Sequence, residues 1–265
     1  MKRFMIQLIP VILMAQVHYA KLEPVETYQI KAAVSGLVLQ AHDEYEGKIG
    51  DEKAVVQIDD KVDRSQKRAL ETSLKVYETS MDLTQRMRNN QEKVYRRERD
   101  YYLRIKNLKT KSKTEKDRVF SSMISAKNQL LTLDEKRATL QKQIADTKYQ
   151  LTMLKDRIEK KSVRAPKLYI YKVSVRRGDY VNPGTPLLTA MDLDAGRLVV
   201  YLDATEVEDL GKKVIYLDNR PTKMKFDKVI EVADDVHISS YRAEMVIKDP
   251  KRRFSSLIKV EVKEQ

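Results

Sequence analysis

Between residues 119 and 158, apolar side chains recur at alternating intervals of four and three residues. This 3.5-residue period indicates a left-handed coiled coil rather than a helix packed on a globular core. Only Arg137 and Thr147 interrupt the apolar series. The pattern predicts a long helix with one seam, which consists of Val119, Met123, Ala126, Leu130, Leu133, Arg137, Leu140, Ile144, Thr147, Leu151, Leu154 and Ile158.

A rougher pattern of the same period precedes this segment. Its seam starts with Leu70, becomes polar from Thr84 to Gln91, and resumes at Tyr95. A second apolar stripe runs parallel to it, which predicts either that the seam shifts or that the helix uses a second face. This stripe consists of Met87, Val94, Tyr101 and Leu108.

The turn between the two arms has to be located from capping chemistry, because residues 61–164 contain neither proline nor glycine. Ser112 and Glu115 match a capping box, in which the serine oxygen accepts a hydrogen bond from the amide three residues on. Helices over 62–109 and 113–160 then form an antiparallel hairpin with equal arms, each about 70 Å long. A single unbroken helix is the alternative.

The hairpin interrupts what reads as one small β module. Residues 28–60 before it and 162–192 after it are both strand-like, and each is shorter than the roughly 40 residues that a domain without metal, disulfide or partner needs. We therefore expect the two halves to pack on each other as one sandwich. The glycines expected in tight turns of these halves are Gly36, Gly47, Gly178 and Gly184.

After Gly196, alternating apolar and polar positions return and predict a small β-barrel. Its strands are expected at 197–203, 214–217, 227–232, 241–247 and 257–262, with one helical turn within 205–210. The sequence thus predicts an α+β fold with five parts: an export signal (1–20), a first β half with a leading barrel strand (21–60), the hairpin (61–161), a second β half (162–194) and a barrel (195–265).

The N-terminus has the order of features found in secretory signals. Lys2 and Arg3 precede an apolar run over residues 4–15, and Ala20 follows. The run is shorter than the about 20 residues that span a bilayer. We therefore predict an export signal that ends near Ala20; a buried N-terminal strand or helix is the alternative.

Composition narrows the classes of function. The chain has no cysteine, which excludes disulfides, thiolate catalysis and zinc–sulfur sites. Residues 61–161 hold 27 Lys and Arg against 14 Asp and Glu, whereas the remainder holds 25 of each, so the whole net charge of +13 belongs to the hairpin. An exported chain rarely meets nucleic acid. An acidic protein surface or anionic lipid therefore fits this charge better than nucleic acid.

These features together resemble the HlyD-type membrane fusion proteins, also called periplasmic adaptors. The resemblance implies a lipoyl-like sandwich split by the long coiled-coil hairpin and followed by the barrel. The second half carries the most specific motif, Gly178-Asp179-Tyr180-Val181 with Asn182-Pro183-Gly184. The other matching residues are Val34-Ser35-Gly36-Leu37-Val38, Ile58-Asp59, Val163-Arg164-Ala165-Pro166, Leu187 and Asp192-Leu193.

The resemblance implies an adaptor in the Gram-negative periplasm, associated with the inner membrane. Such an adaptor links an inner-membrane transporter, of ABC or RND type, to a TolC-like outer-membrane channel, and assembles as a hexamer or trimer of dimers. It implies a channel-docking role at the hairpin tip for Arg104, Leu108 and Ser112. Ser112 departs from the family spacing, since it follows Leu108 by four residues rather than seven.

Other functions fit the sequence less well. A structural coiled-coil protein would explain the helices but not the paired β halves. A metal-efflux adaptor would use methionines, yet Met81, Met87 and Met123 fall on helical spacing typical of packing. No nucleophile motif, His/Cys cluster or phosphate-binding loop is present, so we expect neither enzymatic activity nor a cofactor or metal. Without the resemblance, helix-end solubility and seam packing also account for Arg104 and Leu108.

Overall fold

The computed structural model describes residues 16–232, 240–248, 250 and 254–264. In chain order the strands and helices are β1 (Val17–Lys31), β2 (Gly36–Ala41), β3 (Val56–Ile58), α1 (Lys61–Ile105), α2 (Lys113–Lys160), β4 (Ser162–Val163), β5 (Tyr169–Val173), β6 (Tyr180–Val181), β7 (Pro186–Leu202), α3 (Ala204–Val207), β8 (Val214–Leu217), β9 (Arg220–Thr222), β10 (Lys228–Ile230), β11 (Tyr241–Lys248) and β12 (Leu257–Lys263). Short 3-10 turns at Asp43–Tyr45 and Leu210–Lys212 complete the order.

Helices α1 and α2 form the predicted antiparallel coiled-coil hairpin. Contacts occur at every level: Asp63 bonds Lys161 at the base, Arg88 bonds Asp134 midway, and Tyr102 packs on Phe120 near the tip. All twelve predicted seam positions of α2 are buried or half-buried. α1 ends four residues earlier than predicted. The Lys106 amide still donates to the Tyr102 carbonyl as in a helix, but the Leu108 amide donates to the Ile105 carbonyl only three residues back, as in a turn.

The seam of α1 does not shift. It keeps the heptad spacing along the whole helix, and every seam position is buried or half-buried. Two of the polar members in its middle bond across the hairpin: Arg88 bonds Asp134 at 3.0 Å, and Gln91 donates to the carbonyl of Ala126 at 3.1 Å. The full seam is Asp63, Lys67, Leu70, Leu74, Tyr77, Met81, Thr84, Arg88, Gln91, Tyr95, Glu98, Tyr102 and Ile105.

The two β halves share one interior, as the sequence predicts. β2 pairs with β3 of its own half and with β6 of the other half, where Gly36 lies opposite Val181. β3 pairs in turn with β4, where Val56 lies opposite Val163. One core joins both segments, since Val38 and Val181 belong to it and both are about fully buried. Its buried members are Ala32, Val38, Val55, Val56, Ile58, Ala165, Ile170, Val173, Val175, Val181, Leu187, Leu188 and Ala190.

The four glycines expected in turns have two different roles. Gly47, Gly178 and Gly184 have positive φ angles of 78°, 98° and 92°, which suit residues without a Cβ atom. Gly36 differs, because it starts strand β2 rather than a turn. A Cβ atom there would lie 2.5 Å from Cγ2 of Ile58, so the strands can approach only with glycine at this position.

A second core lies under a barrel-like sheet with the strand order β10-β11-β7-β1-β12-β8-β9. Two long strands connect it to the sandwich, since β1 and β7 run through both modules as antiparallel partners. The predicted helical turn is α3, closed by a capping box between Asp203 and Glu206. The sandwich and barrel are therefore joined along continuous strands rather than through a linker.

The end of the predicted export signal overlaps the beginning of β1. Its apolar run over residues 4–15 lies outside the described residues, so the signal stays a prediction. The residues that follow are part of the barrel: Val17 pairs with Glu261, and Ala20 is buried in the barrel core. His18 bonds the carboxylate of Glu206 at 2.9 Å. A cut after Ala20 would remove these contacts.

Candidate docking site at the hairpin tip

The tip is built by residues 106–112, which connect the two helices. Ile105, the last residue of α1, is buried and closes the seam. Ser112 caps the start of α2, since its hydroxyl accepts a hydrogen bond from the amide of Glu115 at 3.2 Å. Lys111 donates to the Glu115 carboxylate at 2.7 Å, and this hydrogen bond raises the pKa of Lys111 above its ordinary value. The turn is thus held by side-chain capping and an ion pair.

Two of the three predicted docking residues offer free surface at the tip. Arg104 is exposed, and its guanidinium carbon lies 6.0 Å from the centroid of the Tyr101 ring, within the range of a cation–π contact. Leu108 is 45% exposed, just beyond the end of α1. Ser112 is exposed too, but its hydroxyl serves the helix cap. The structure thus gives Ser112 a capping role, while channel docking by Arg104, Leu108 and Ser112 stays a prediction.

A cavity on another side of the tip was not found from the sequence. Its volume is about 460 Å³, and it lies beside the ring pair of Tyr102 and Phe120, whose centroids are 5.3 Å apart. Three ammonium groups and one carboxylate surround it, those of Lys106, Lys113, Lys116 and Asp117. The lining residues are spaced at helical intervals within each arm. They come together around one cavity only because the turn folds the two arms side by side, and the sequence pattern of one arm does not show this.

The part of the hairpin around its tip carries most of the hairpin's net positive charge. Between residues 86 and 118 there are 13 Lys and Arg against 5 Asp and Glu. Some of this charge is paired locally. Glu92 forms ion pairs with Arg96 and Arg88, and these contacts, chiefly the hydrogen bond from Arg96, lower the pKa of Glu92. The remaining excess gives the tip a positive potential. Such a field steers an acidic partner and fixes its register more than it adds affinity.

The chemistry of the tip suits the recognition of acidic side chains. Lysine ammonium groups beside aromatic rings can take a carboxylate, and an exposed arginine can bind one with two parallel hydrogen bonds. Within the described ranges, no group of His, Asp and Glu side chains is placed to hold a metal ion. In the same part of the chain, no helix combines the length and apolarity needed to cross a bilayer.

Solved structures share this arrangement of hairpin, sandwich and barrel. The superposition with MacA from Actinobacillus actinomycetemcomitans covers 94% of this chain and 78% of the MacA chain, with a TM-score of 0.70 and 15% sequence identity. The superposition with a membrane fusion protein from Streptococcus pneumoniae covers 95% of this chain and 100% of that protein's chain, with a TM-score of 0.60 and 9% sequence identity. The chain has the fold of membrane fusion proteins.

The same membrane fusion fold is found in a MacA–MexA chimera that contains the Pseudomonas aeruginosa MexA α-hairpin domain. The superposition covers 94% of this chain and 81% of the chimera's chain, with a TM-score of 0.51 and 13% sequence identity. No protein-family model and no curated protein sequence matches the chain. The likeness is thus one of fold, which confirms the predicted architecture, and the function has to be argued from the surface of this chain.

Proposed function

We propose that this protein is a periplasmic adaptor that bridges an inner-membrane transporter, of ABC or RND type, and a TolC-like outer-membrane channel. It would serve the export of small molecules or proteins, work as a homo-oligomer (a hexamer or a trimer of dimers), and remain associated with the inner membrane. The observation that carries the proposal is a rigid hairpin that leaves and re-enters one β unit and presents an exposed basic tip. The membrane fusion fold supports the same function.

The hairpin is anchored firmly enough to act as a strut. At its base, the Lys161 ammonium lies 2.5 Å from the Asp63 carboxylate and donates to the Asp59 carbonyl at 2.7 Å. The amide of Ile58 donates to the Lys161 carbonyl at 2.8 Å, which links the last core strand of the first half to the end of α2. With a rise of 1.5 Å per residue, the 45 residues of α1 hold the tip about 70 Å from this base.

The tip is the end that we assign to the channel. Arg104 and Leu108 provide an exposed cation and an exposed apolar side chain, and the lysine-lined cavity provides a second basic surface. Complementary charge would accelerate docking on an acidic channel mouth, and salt would weaken it, since the Debye length at physiological ionic strength is about 8 Å. The β modules, at the opposite end, would face the transporter and neighbouring copies.

A charge reversal tests the docking role. Arg104→Glu should weaken capture of the outer-membrane channel from detergent-solubilised host membranes, and the loss should be larger at low salt than at high salt. Arg68→Glu is the matched control, because it changes the net charge equally but lies about 54 Å nearer the base. Equal losses for both variants, or the same loss at both salt concentrations, would refute steering by the tip.

A deletion separates the adaptor from a structural coiled-coil protein. Removing residues 112–116 deletes the cap and the first residues of α2 but leaves the sandwich and barrel untouched. An adaptor without its tip should lose channel capture and transport of its cargo, while its association with the transporter persists. If cells expressing the deletion variant keep both channel capture and export, the adaptor function is wrong.

A further inference from the structure

A cleft of about 680 Å³ lies where the sandwich meets the barrel. Strands β1 and β7 form its floor, because both continue from one module into the other. We call it the junction cleft. Its volume falls within the roughly 300–1,000 Å³ of pockets that hold small organic ligands, and such pockets occur preferentially where domains meet. The junction cleft belongs to the β modules and is remote from the hairpin tip.

A bulge in β7 opens the floor of the junction cleft. The pairs Pro24–Gly196 and Glu26–Asp192 flank residues 193–195 of β7, whereas only one residue separates their partners on β1. Such a bulge bends the strand and re-aims its side chains. The first bulged side chain, a leucine, lines the cleft. The cleft thus results from the way the two long strands change register between the modules.

The walls of the junction cleft are mainly aromatic and apolar. On the sandwich side, a β-bridge joins Ile49 and Tyr169, and Tyr171 lies beside them. Ile49 is 63% exposed and Tyr171 is 59% exposed, so both offer surface to a ligand. Phe254 forms the wall on the barrel side, and Met191 lies on the floor. These side chains suit a ligand with an aromatic or other apolar body.

Arg197 brings a poorly paired cation to the same cleft. Among the described residues, the single carboxylate near its guanidinium is that of Glu244, at 3.7 Å, which is too far for a hydrogen bond. Glu244 has a closer partner in Arg242, at 2.5 Å. The Nε atom of Arg197 is buried and has no hydrogen-bond partner within the described ranges. Buried donors are nearly always paired, so this guanidinium has hydrogen bonds left to give.

The other charges of the junction cleft do not cancel Arg197. Glu23 lies directly opposite it on β1, but its carboxylate pairs with Lys21 at 3.8 Å. The described lining therefore holds two cations against one anion. The cleft is complementary to a single negative charge.

We propose that the junction cleft binds a small organic acid, with its apolar body between the aromatic walls and its carboxylate on Arg197. An arginine can hold a carboxylate by two parallel hydrogen bonds. The proposal goes beyond the adaptor function, because it gives the β modules a ligand site that does not depend on docking of the tip. Since the walls come from both modules, the bound acid joins the sandwich to the barrel.

Energy transfer from an introduced tryptophan locates the ligand, because the chain has no native tryptophan. The probe is dansylglycine, an aromatic carboxylate that accepts excitation from tryptophan. In the purified protein, Ile49→Trp should transfer energy to bound dansylglycine in a saturable manner. Leu131→Trp is the control, since Leu131 is 54% exposed but lies about 44 Å along α2 from the base of the hairpin. Equal transfer in both variants, or no saturable transfer from Ile49→Trp, would overturn the proposal.

A charge test identifies the group that binds the carboxylate. Arg197→Gln should weaken binding of dansylglycine about tenfold or more, because hydrogen bonds to charged groups are among the stronger ones, and it should leave binding of the neutral dansylglycinamide unchanged. Arg197→Lys should recover part of the loss. The matched control is Arg220→Gln, which removes an exposed arginine from β9 and should have no effect. Equal losses in Arg197→Gln and Arg220→Gln would refute recognition by Arg197.

Two further measurements do not depend on how Arg197→Gln folds. The unaltered protein should bind dansylglycine more tightly than dansylglycinamide, and Glu23→Gln should tighten binding of the acid, since it removes the carboxylate that faces Arg197. Equal affinity for acid and amide, or weaker binding of the acid by Glu23→Gln, would contradict the proposal. All these tests use the protein alone, so their failure leaves channel docking by the tip unaffected.

Discussion

Replacing Gly50 by alanine should force the two β halves apart. A Cβ atom at this position would lie 2.2 Å from the carbonyl oxygen of Ala165 and 3.0 Å from its carbonyl carbon. Gly50 belongs to the first half and Ala165 to the second, so the added methyl group acts on the contact between the two β halves. Two backbone hydrogen bonds hold this contact: Gly50 donates to the Leu168 carbonyl at 2.8 Å and accepts from the Lys167 amide at 3.0 Å.

The expected cost follows from these contacts. To bring the Cβ–oxygen distance from 2.2 Å to the 3.0 Å that real Cβ atoms respect, the backbones must separate by at least 0.8 Å. Overpacking of this kind costs about 1–3 kcal/mol, and weakening the two hydrogen bonds adds about 1 kcal/mol each, so we expect Gly50→Ala to lower stability by about 3–5 kcal/mol. That is a large part of the about 5–15 kcal/mol by which domains are stable.

Hydrogen exchange measured by mass spectrometry locates the effect. In Gly50→Ala, amides in both segments 36–60 and 162–190 should exchange faster, since one core serves both. Gly211→Ala is the control, because nothing lies within 4 Å of its added Cβ atom and its effect on stability should be small or favourable. Unchanged protection in Gly50→Ala, or loss confined to residues 36–60, would refute the reasoning that the halves fold as one unit.

Three further predictions concern the base, the tip and the barrel. Asp63→Asn should lower the melting temperature of the helical circular dichroism signal, because it removes the negative charge that Lys161 pairs with in a largely buried ion pair, at a cost of about 3 kcal/mol; an unchanged melting curve would contradict this. Ser112→Ala removes the helix cap and should reduce exchange protection at 113–117 by about 1 kcal/mol, with Ser122→Ala as a control for the residue type. In the barrel, hydrogen bonds from the Thr205 hydroxyl and then from the Glu206 amide hold the pKa of Asp203 below its ordinary 3.8. The stabilisation is therefore fully present above that pH and declines as pH falls below 3.8 toward the lower folded value, so Asp203→Ala should destabilise the barrel at pH 7 and less at pH 3. An equal effect at both pH values would rule out the carboxylate as its origin.

The sequence predicted the parts of the fold whose pattern is local. The α2 seam was readable because nearly all its positions are apolar, and Ser112 marked the turn because capping depends on neighbours within four residues. The α1 seam was harder to read. Arg88 and Gln91 look like surface residues in the sequence, and their place in the seam depends on bonds to the opposite helix.

Features that depend on distant parts of the chain were missed or misplaced. Gly196 reads as a break between modules, yet it lies inside β7 opposite Pro24 of β1, and a Cβ atom there would meet Leu22 at 2.7 Å. Glycine thus allows two long strands to approach each other rather than ending one. The cavity at Lys106 and Phe120 depends on how two arms meet, which no pattern along one arm can show.

Site-specific photocross-linking in the host tests the proposed bridging role most directly. A photoreactive residue in place of Leu108 samples the tip, and the same residue in place of Val62, which is 79% exposed, samples the base. We expect the tip position to cross-link to an outer-membrane channel, identified by mass spectrometry, and the base position to give no channel product. A channel product from position 62, or none from position 108 in cells that export normally, would contradict the bridging role.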